Sequence, residues 1–267
     1  LFGINSMSHT YSLPHIYDIA FDFRDVPGEC DFLLSVAEKH LTRKVASATE
    51  LACGPGWHAQ EMASRGIESV GLDLEPAMIE HAQGRTKAET SKARFVVGDM
   101  KSFALDNPVD LAYVLIASFA HLLTNDDIIA HFNAVADSLS EGGIYVISTA
   151  HPRDFYGDRS SDLPTQWTAA RGDLTVTTEW GSSEDSFDPI TEIDTVTITF
   201  DVTGPHGHER HQSREQLRRM SYQTFTALVA LSGRFELVDA YGDFDLATPF
   251  TNEPDSGRFV PVLKKLR

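Results

Sequence analysis

Glu50-Leu51-Ala52-Cys53-Gly54-Pro55-Gly56-Trp57-His58-Ala59 is the stretch that decides the fold. A run from Val45 to Leu51 leads into it with strand character, and helical spacing continues out of it to about Arg65. Two glycines at such a junction let the chain turn sharply and let a ligand approach the backbone. The helix that follows presents unpaired N–H groups and the positive end of its dipole. A strand, a glycine turn and a helix in that order open a crossover unit, and crossover units build a parallel sheet.

The same alternation continues downstream. Ser69 to Leu72 gives a second strand ending at Asp73, and Pro76 suits the first turn of the next helix. Phe95 to Val97 gives a third strand, and Leu111 to Ile116 a fourth, nearly all apolar as a strand buried on both faces should be. A helix is expected over Asp126–Leu139, with Glu141-Gly142-Gly143 as its glycine stop and Ile144 to Ser148 as strand five. After His151-Pro152 the period falls to two. Leu174, Val176 and Trp180 alternate with polar residues, as do Val196, Ile198, Phe200 and Val202, around a turn at Gly204-Pro205-His206-Gly207. This predicts an antiparallel sheet over Gln166–Arg218, inserted within residues 154–218. A helix at Tyr222–Leu231 and strands at Phe235–Tyr241 and Arg258–Leu263 then complete the core sheet over residues 219–267.

Upstream, Phe32, Leu33, Val36 and Leu41 predict an amphipathic helix over Asp31–His40, part of an N-terminal helical lid spanning residues 7–44. Leu1–Ser6 precede Met7 and are expected to be a remnant outside the fold. The expected architecture is therefore α/β: a Rossmann-like, wound, mostly parallel sheet of about seven strands in residues 45–153 and 219–267, with an antiparallel sheet inserted after strand five.

Composition narrows the function classes. With 42% hydrophobic and 23% charged residues in 267, the chain has enough apolar surface for a sizeable core, which rules out disordered and fibrous classes. Against 39 acidic residues stand 22 Lys+Arg, a formal net charge of -17 that opposes binding to a phosphate backbone, so no nucleic-acid partner is expected. Cys30 and Cys53 make no disulfide framework, which fits a reducing, cytoplasmic compartment. No run approaches the roughly 18 apolar residues of a bilayer span, so no membrane partner is expected either.

Gly54-x-Gly56-x-x-Ala59, with Asp73 ending strand two, satisfies the dinucleotide fingerprint and keeps a nicotinamide-dependent oxidoreductase open. Gly98-Asp99-Met100 after strand three adds a carboxylate and an apolar side chain suited to the exocyclic amine and the face of an adenine. With these three elements in order, the sequence resembles class I S-adenosylmethionine-dependent methyltransferases, in their small-molecule branch, closely over Tyr11–His151 and loosely beyond.

The resemblance implies a cofactor, S-adenosyl-L-methionine, and a small-molecule acceptor of the methyl group at N or O. It places Glu50, Ala52, Gly54, Gly56 and His58 in the first cofactor motif, and Asp73 at the ribose with Leu74 and Met78 beside it. Asp99 and Met100 fall at the adenine, and Ile116 at the end of strand four. Tyr17 and Arg24 resemble the family's N-terminal lid, where a tyrosine and a basic residue reach the cofactor's methionine carboxylate; they equally fit an ordinary amphipathic helix face. Ala52 stands where the usual loop has its first glycine, and its methyl group is expected to be tolerated provided that position does not need positive φ.

His121 and His151 follow strands four and five, at the carboxyl ends where open α/β sheets place ligands, and are the candidate general bases. The acceptor pocket is expected between those strand ends, the lid and the inserted sheet, which also offers a contact for a homo-oligomer. Cys53 is read as a small filler, and His206, His208 and His211 as a solvated turn rather than a metal site. A non-catalytic cofactor-binding protein is the third reading.

Overall fold

The computed structural model describes residues 10–86, 92–156 and 165–267; the expectation for Leu1–Ser6 lies outside them. A 3-10 turn at Thr10–Ser12 and helices α1 (Pro14–Ala20) and α2 (Val26–His40) come first. Helix α2 starts earlier than its apolar spacing suggests. The Asp25 side chain accepts from Gly28 N at 3.1 Å, and Pro27 sits in the first turn, so cap chemistry extends the helix beyond its apolar stripe.

The core then alternates as β1 (Ser47–Leu51), α3 (Trp57–Ser64), β2 (Glu68–Asp73), α4 (Pro76–Arg85), β3 (Ala93–Val97), β4 (Val109–Val114), α5 (Asn125–Ser138) and β5 (Leu139–Ile147). Every residue of β4 is buried, as the apolar run from Leu111 onward requires in the middle of a covered sheet, and Asp110 among them is held by Arg43 and the Ala46 amide. Helix α5 opens with a capping box between Thr124 and Asp127. The stop expected at Gly142-Gly143 is corrected: α5 ends at Ser138 and the chain enters β5 at once. Gly142, at φ 67, lies within β5, where the pairing with β4 skips from Val109↔Leu139 to Leu111↔Ile144. The glycines make a bulge rather than a cap.

After β6 (Thr149–Ala150) and the short α6 (Arg153–Tyr156) comes the insertion: β7 (Thr165–Arg171), β8 (Leu174–Trp180), β9 (Ser186–Asp188), β10 (Ile193–Gly204) and β11 (Gly207–Arg218). Helix α7 (Tyr222–Ser232) and strands β12 (Phe235–Tyr241) and β13 (Arg258–Lys265) close the chain. The main sheet runs β12-β13-β5-β4-β1-β2-β3, parallel except at β13, with β6 paired to β13. The inserted sheet is antiparallel, ordered β11-β10-β8-β7, with β9 on β10.

Period-two burial along β4 divides the core. Leu111 and Tyr113 face α2 and Met62 of α3, while Ala112 and Val114 face α5 and α7. A third cluster joins the lid to the insertion: Tyr17, Ile19, Ala20 and Phe21 pack on Val176, Val196, Ile198 and Phe200. Asp18 fastens that joint. It accepts from Trp57 Nε1 at 2.6 Å, His81 Nε2 at 3.1 Å and Arg171 at 2.7 Å, and also from Arg85. Burial alone would raise its pKa, but these donors outweigh it and hold the carboxyl down to about 2. No helix among the described residues is long and apolar enough to cross a membrane.

Candidate active site

A cavity of about 360 Å³ opens at the carboxyl ends of β1, β2, β3 and β4, beneath the lid and beside β11. Nine of the residues singled out from sequence reach its wall: Tyr17, Ala52, Gly54, Asp73, Leu74, Met78, Asp99, Met100 and His121. The glycine turn delivers the first of these. Gly54 lies at φ 51, and a Cβ built there would meet only Tyr17 Cε1, at 3.9 Å, so its backbone faces open space. Ala52 lies at φ 51 as well, so the proviso on its methyl group is not met. An alanine held left-handed costs about 1 kcal/mol, which the surrounding strand and turn must offset.

Asp73 is fixed by two backbone donors, Gly54 N at 2.7 Å on one oxygen and Glu75 N at 2.9 Å on the other. Each oxygen keeps acceptor capacity beyond that bond. Burial raises the pKa of this carboxyl, against the opposing pull of the two amides, so a ligand that donates hydrogen bonds to its anion relieves a real desolvation cost. Asp99 accepts from Lys101 N at 2.9 Å, and Lys101 Nζ lies 3.7 Å from Asp99 and 3.4 Å from Asp127. Next to it the Met100 carbonyl is held by His131 Nδ1 at 2.8 Å, and His131 Nε2 lies 2.5 Å from the Tyr145 hydroxyl. Burial lowers the His131 pKa to about 4, so the ring is neutral and acts as a strut behind the Met100 wall.

His121 arrives by a strained route. Strand β4 ends at Val114 instead of running to Ile116, and Ile116 and Ala117 follow at φ 53 and 56. Two consecutive non-glycine residues in the left-handed region are costly, most of all a β-branched one, and they swing the chain into a 3-10 turn at Ser118–His121. Ala117 N to Ser148 O at 3.1 Å and Ser118 N to Leu115 O at 3.0 Å hold the turn. Ile116 thus shapes the approach without lining the cavity.

Other sequence candidates stand apart from the cavity. His151 is buried, with Nε2 2.9 Å from Thr251 O and Nδ1 accepting from Arg153 N at 3.1 Å, so both ring nitrogens serve the backbone and, unlike His121, it does not line the cavity. Gly56, at φ 77, starts α3, and a Cβ there would strike the Phe95 ring, so positive φ and close packing both call for glycine. Arg24, Glu50 and His58 join Glu29 in a buried network behind the glycine turn. His58 Nε2 lies 2.6 Å from Glu29 and Nδ1 3.2 Å from Glu50, while Arg24 is bound to Glu29 and Ala59 N donates to Glu50 at 2.9 Å. Burial would lower the His58 pKa, but the two carboxylates outweigh it and raise it, while His58 and Arg24 hold Glu29 below its ordinary value against its own burial. The network clamps α2 to the first turn of α3.

Cys53 is buried, and desolvation pushes its thiol pKa up, as suits a filler. Among the described residues no group of three His, Cys, Asp or Glu could hold a metal ion.

Sequence reasoning missed Tyr11 and Glu215, which also line the cavity. The Tyr11 hydroxyl lies 3.1 Å from His121 Nε2, and burial, followed by Tyr17 and Glu215, raises its phenol pKa well above the usual value. Tyr11 carries no motif. Glu215 did leave a signal: in Ser213-Arg214-Glu215-Gln216-Leu217 it occupies the inward phase of an alternating strand, where an apolar residue belongs.

Comparison with known proteins follows the same lines. Residues 48–143 match the methyltransferase domain family. A dTDP-3-amino-3,4,6-trideoxy-alpha-D-glucopyranose N,N-dimethyltransferase of Streptomyces venezuelae is 26% identical over 141 residues, 51% of this chain and 57% of that one. The chain matches little more than half the length of the first such curated relatives. Among solved structures, DesVI of Streptomyces venezuelae superposes with a TM-score of 0.76 at 19% identity, over 93% of this chain and 96% of that one. The S-adenosylmethionine-bound amino pentose methyltransferase of Micromonospora echinaspora gives 0.71 at 19% identity, over 94% and 97%. Residues 48–143 thus match the methyltransferase domain family, and the chain as a whole shares its fold with these solved methyltransferases.

Proposed function

We propose that the chain transfers a methyl group from S-adenosylmethionine to a nitrogen of a small, sugar-like amine. The observation that carries this reading is the convergence, in one cavity, of Asp73, Asp99 and the open Gly54 backbone with the Tyr11–His121 pair. The relatives named as amino-sugar N,N-dimethyltransferases favour nitrogen over oxygen as the acceptor atom. The residues fit the cofactor. Asp73 offers anchored acceptors for ribose hydroxyls, Gly54 leaves room for close approach, and Asp99 and Met100 suit an adenine edge and face.

When bound, S-adenosylmethionine supplies a methyl group on a sulfonium, already an activated leaving group. The protein's own residues then align the acceptor, exclude water and take a proton. His121 in its neutral form accepts the proton that an incoming ammonium must lose, and Tyr11, kept protonated by its raised pKa, holds the ring in place. The nicotinamide reading loses its support in the strand order. A dinucleotide domain pairs two mononucleotide halves in a parallel sheet, whereas here antiparallel β13 stands next to β5.

The test is a methyl-transfer screen with aminopyranosides and matched hydroxyl compounds, following formation of S-adenosylhomocysteine. Turnover confined to the amines is expected; turnover of hydroxyl compounds alone, or of neither class, would overturn the reading.

A further inference from the structure

Four charged side chains lie behind the glycine turn, off the cavity wall: Arg24 from the segment between α1 and α2, Glu29 of α2, Glu50 of β1 and His58 of α3. His58 and both carboxylates are buried, and the Arg24 side chain is 9% exposed. The imidazole stands between the two acids. Nε2 lies 2.6 Å from Glu29 Oε2 and Nδ1 3.2 Å from Glu50 Oε1, the second a charge contact out of hydrogen-bond alignment. A neutral imidazole has one N–H and one lone pair, so either tautomer would turn a lone pair toward a carboxylate oxygen. Only the doubly protonated ring meets both acids with N–H groups.

Charge counting leads to the same species. With His58 protonated, the cluster sets two cations, Arg24 and His58, against two carboxylates; without that proton a surplus anion is left out of water, which is costly. The other titratable groups facing the ring do not compensate. The Cys30 thiol of α2 lies 4.0 Å from the His58 carbonyl, Cys53 lies in the glycine turn, and the Tyr113 ring of β4 is 6.5 Å from the imidazole. Burial pushes the pKa of all three up and keeps them neutral. Further along α3, Glu61 and Arg65 pair with each other.

The cluster bears on the cavity from two sides. Glu50 stands just before the wall residues Ala52 and Gly54 and accepts from Ala59 N at 2.9 Å, so it sets the end of β1 against the first turn of α3. Glu29 and Arg24 belong to the lid, and the Arg24 charge is felt by the phenol of Tyr17 in the cavity wall.

Resting on the methyl-transfer reading above, we propose that His58 is a positioning residue for the cofactor: as an imidazolium it joins the lid to the glycine turn, and removal of its proton loosens that joint. Proton loss leaves Glu29 and Glu50 with no shared cation between them. The closed cavity then becomes a smaller share of the population, and the cofactor binds more weakly. Burial alone would favour the neutral ring, but the two carboxylates outweigh it, so the joint holds at low pH and is lost as pH rises.

Calorimetric titration of S-adenosylhomocysteine into the full chain from pH 6 to 9 reads this linkage. In the unaltered protein, affinity is expected to fall about tenfold as pH rises. His58→Gln is expected to bind weakly at every pH, without that fall, and His58→Gln combined with Glu50→Gln, which restores the charge balance, to recover most of the loss. A flat profile in the unaltered protein, a fall that persists in His58→Gln, or no recovery in the double variant would overturn the proposal. Hydrogen exchange over residues 14–24, corrected for the intrinsic effect of pH, reads the joint without any ligand. Faster exchange at pH 9 than at pH 6 is expected in the unaltered protein, and equal exchange would overturn the proposal even if no variant folds. If S-adenosylhomocysteine binds at no pH, the methyl-transfer reading fails, and the exchange measurement alone decides whether His58 holds the lid.

Discussion

Asp73 and Asp99 reach the cavity from the ends of adjacent parallel strands, and Gly54 from the turn after the strand beside them, all within residues 52–100. Tyr11, His121 and Glu215 reach its other walls from an N-terminal turn, a strained 3-10 turn and a strand of a separate sheet. The first kind of wall is built by a sheet edge, each side chain set by the strand it terminates. The second exists only when three distant segments have docked. Chemistry shared by a family can sit on the first kind of wall, while selectivity for a particular acceptor belongs on the second, where one substitution leaves the sheet untouched.

Substitutions that separate the two kinds of wall test this division, and the largest effect is expected at the docked one. His121→Ala should lower turnover by about 10² to 10⁴ while leaving S-adenosylmethionine affinity nearly unchanged, as steady-state rates and calorimetry will show. Asp73→Ala should do the reverse. Loss of its charge-assisted bonds is worth about 1.5 to 3 kcal/mol, a ten- to hundredfold weaker cofactor, and unchanged affinity would remove Asp73 from that role.

His131, the strut behind Met100, gives a pH test. Its folded pKa of about 4 lies below the unfolded value, so between roughly pH 6.5 and 4 the unfolded chain takes a proton that the folded chain refuses. Stability should therefore fall with pH in that window, by up to about 1.4 kcal/mol per unit. His58, with its raised pKa, works in the opposite sense, contributing stability below its unfolded pKa that is lost as pH rises. Denaturant titrations of the unaltered protein and His131→Gln at pH 7, 6 and 5 isolate the first slope, which the variant should lack.

Ala52→Gly should produce the smallest change. Relief of left-handed strain, about 1 kcal/mol, is nearly cancelled by the added freedom of the unfolded chain, so stability should stay within about 0.5 kcal/mol by the same titrations.

What the sequence made legible follows the same divide. Strand, turn and helix periods are local, so β1 to β5 and the alternation of β7 to β11 could be read from residue spacing, and Asp73, Asp99 and Gly54 came with them. Gly142 misled because a glycine marks a bulge as readily as a helix stop. His151 shared a strand-end position with His121, and the distant Thr251 carbonyl, together with the Arg153 amide, occupies its ring. Tyr11 was beyond reach, since its partner lies 110 residues along the chain. Glu215 broke the inward phase of β11, a signal that gains meaning once the facing wall is known.

Asp18 carries a consequence for the order in which the molecule assembles. Its partner Arg171 lies 153 residues downstream, so on a chain emerging from its N-terminus the carboxylate waits through the synthesis of β1 to β5 before that ligand exists. The parallel sheet has its strands in hand by then, and Arg85 and His81 with them, whereas the lid still lacks Arg171 and the apolar face of the insertion. Closure of the lid is thus written as the late step of folding. A refolding experiment that watches Trp57 should find a slow phase that Asp18→Asn alters, with the formation of the core sheet unaffected.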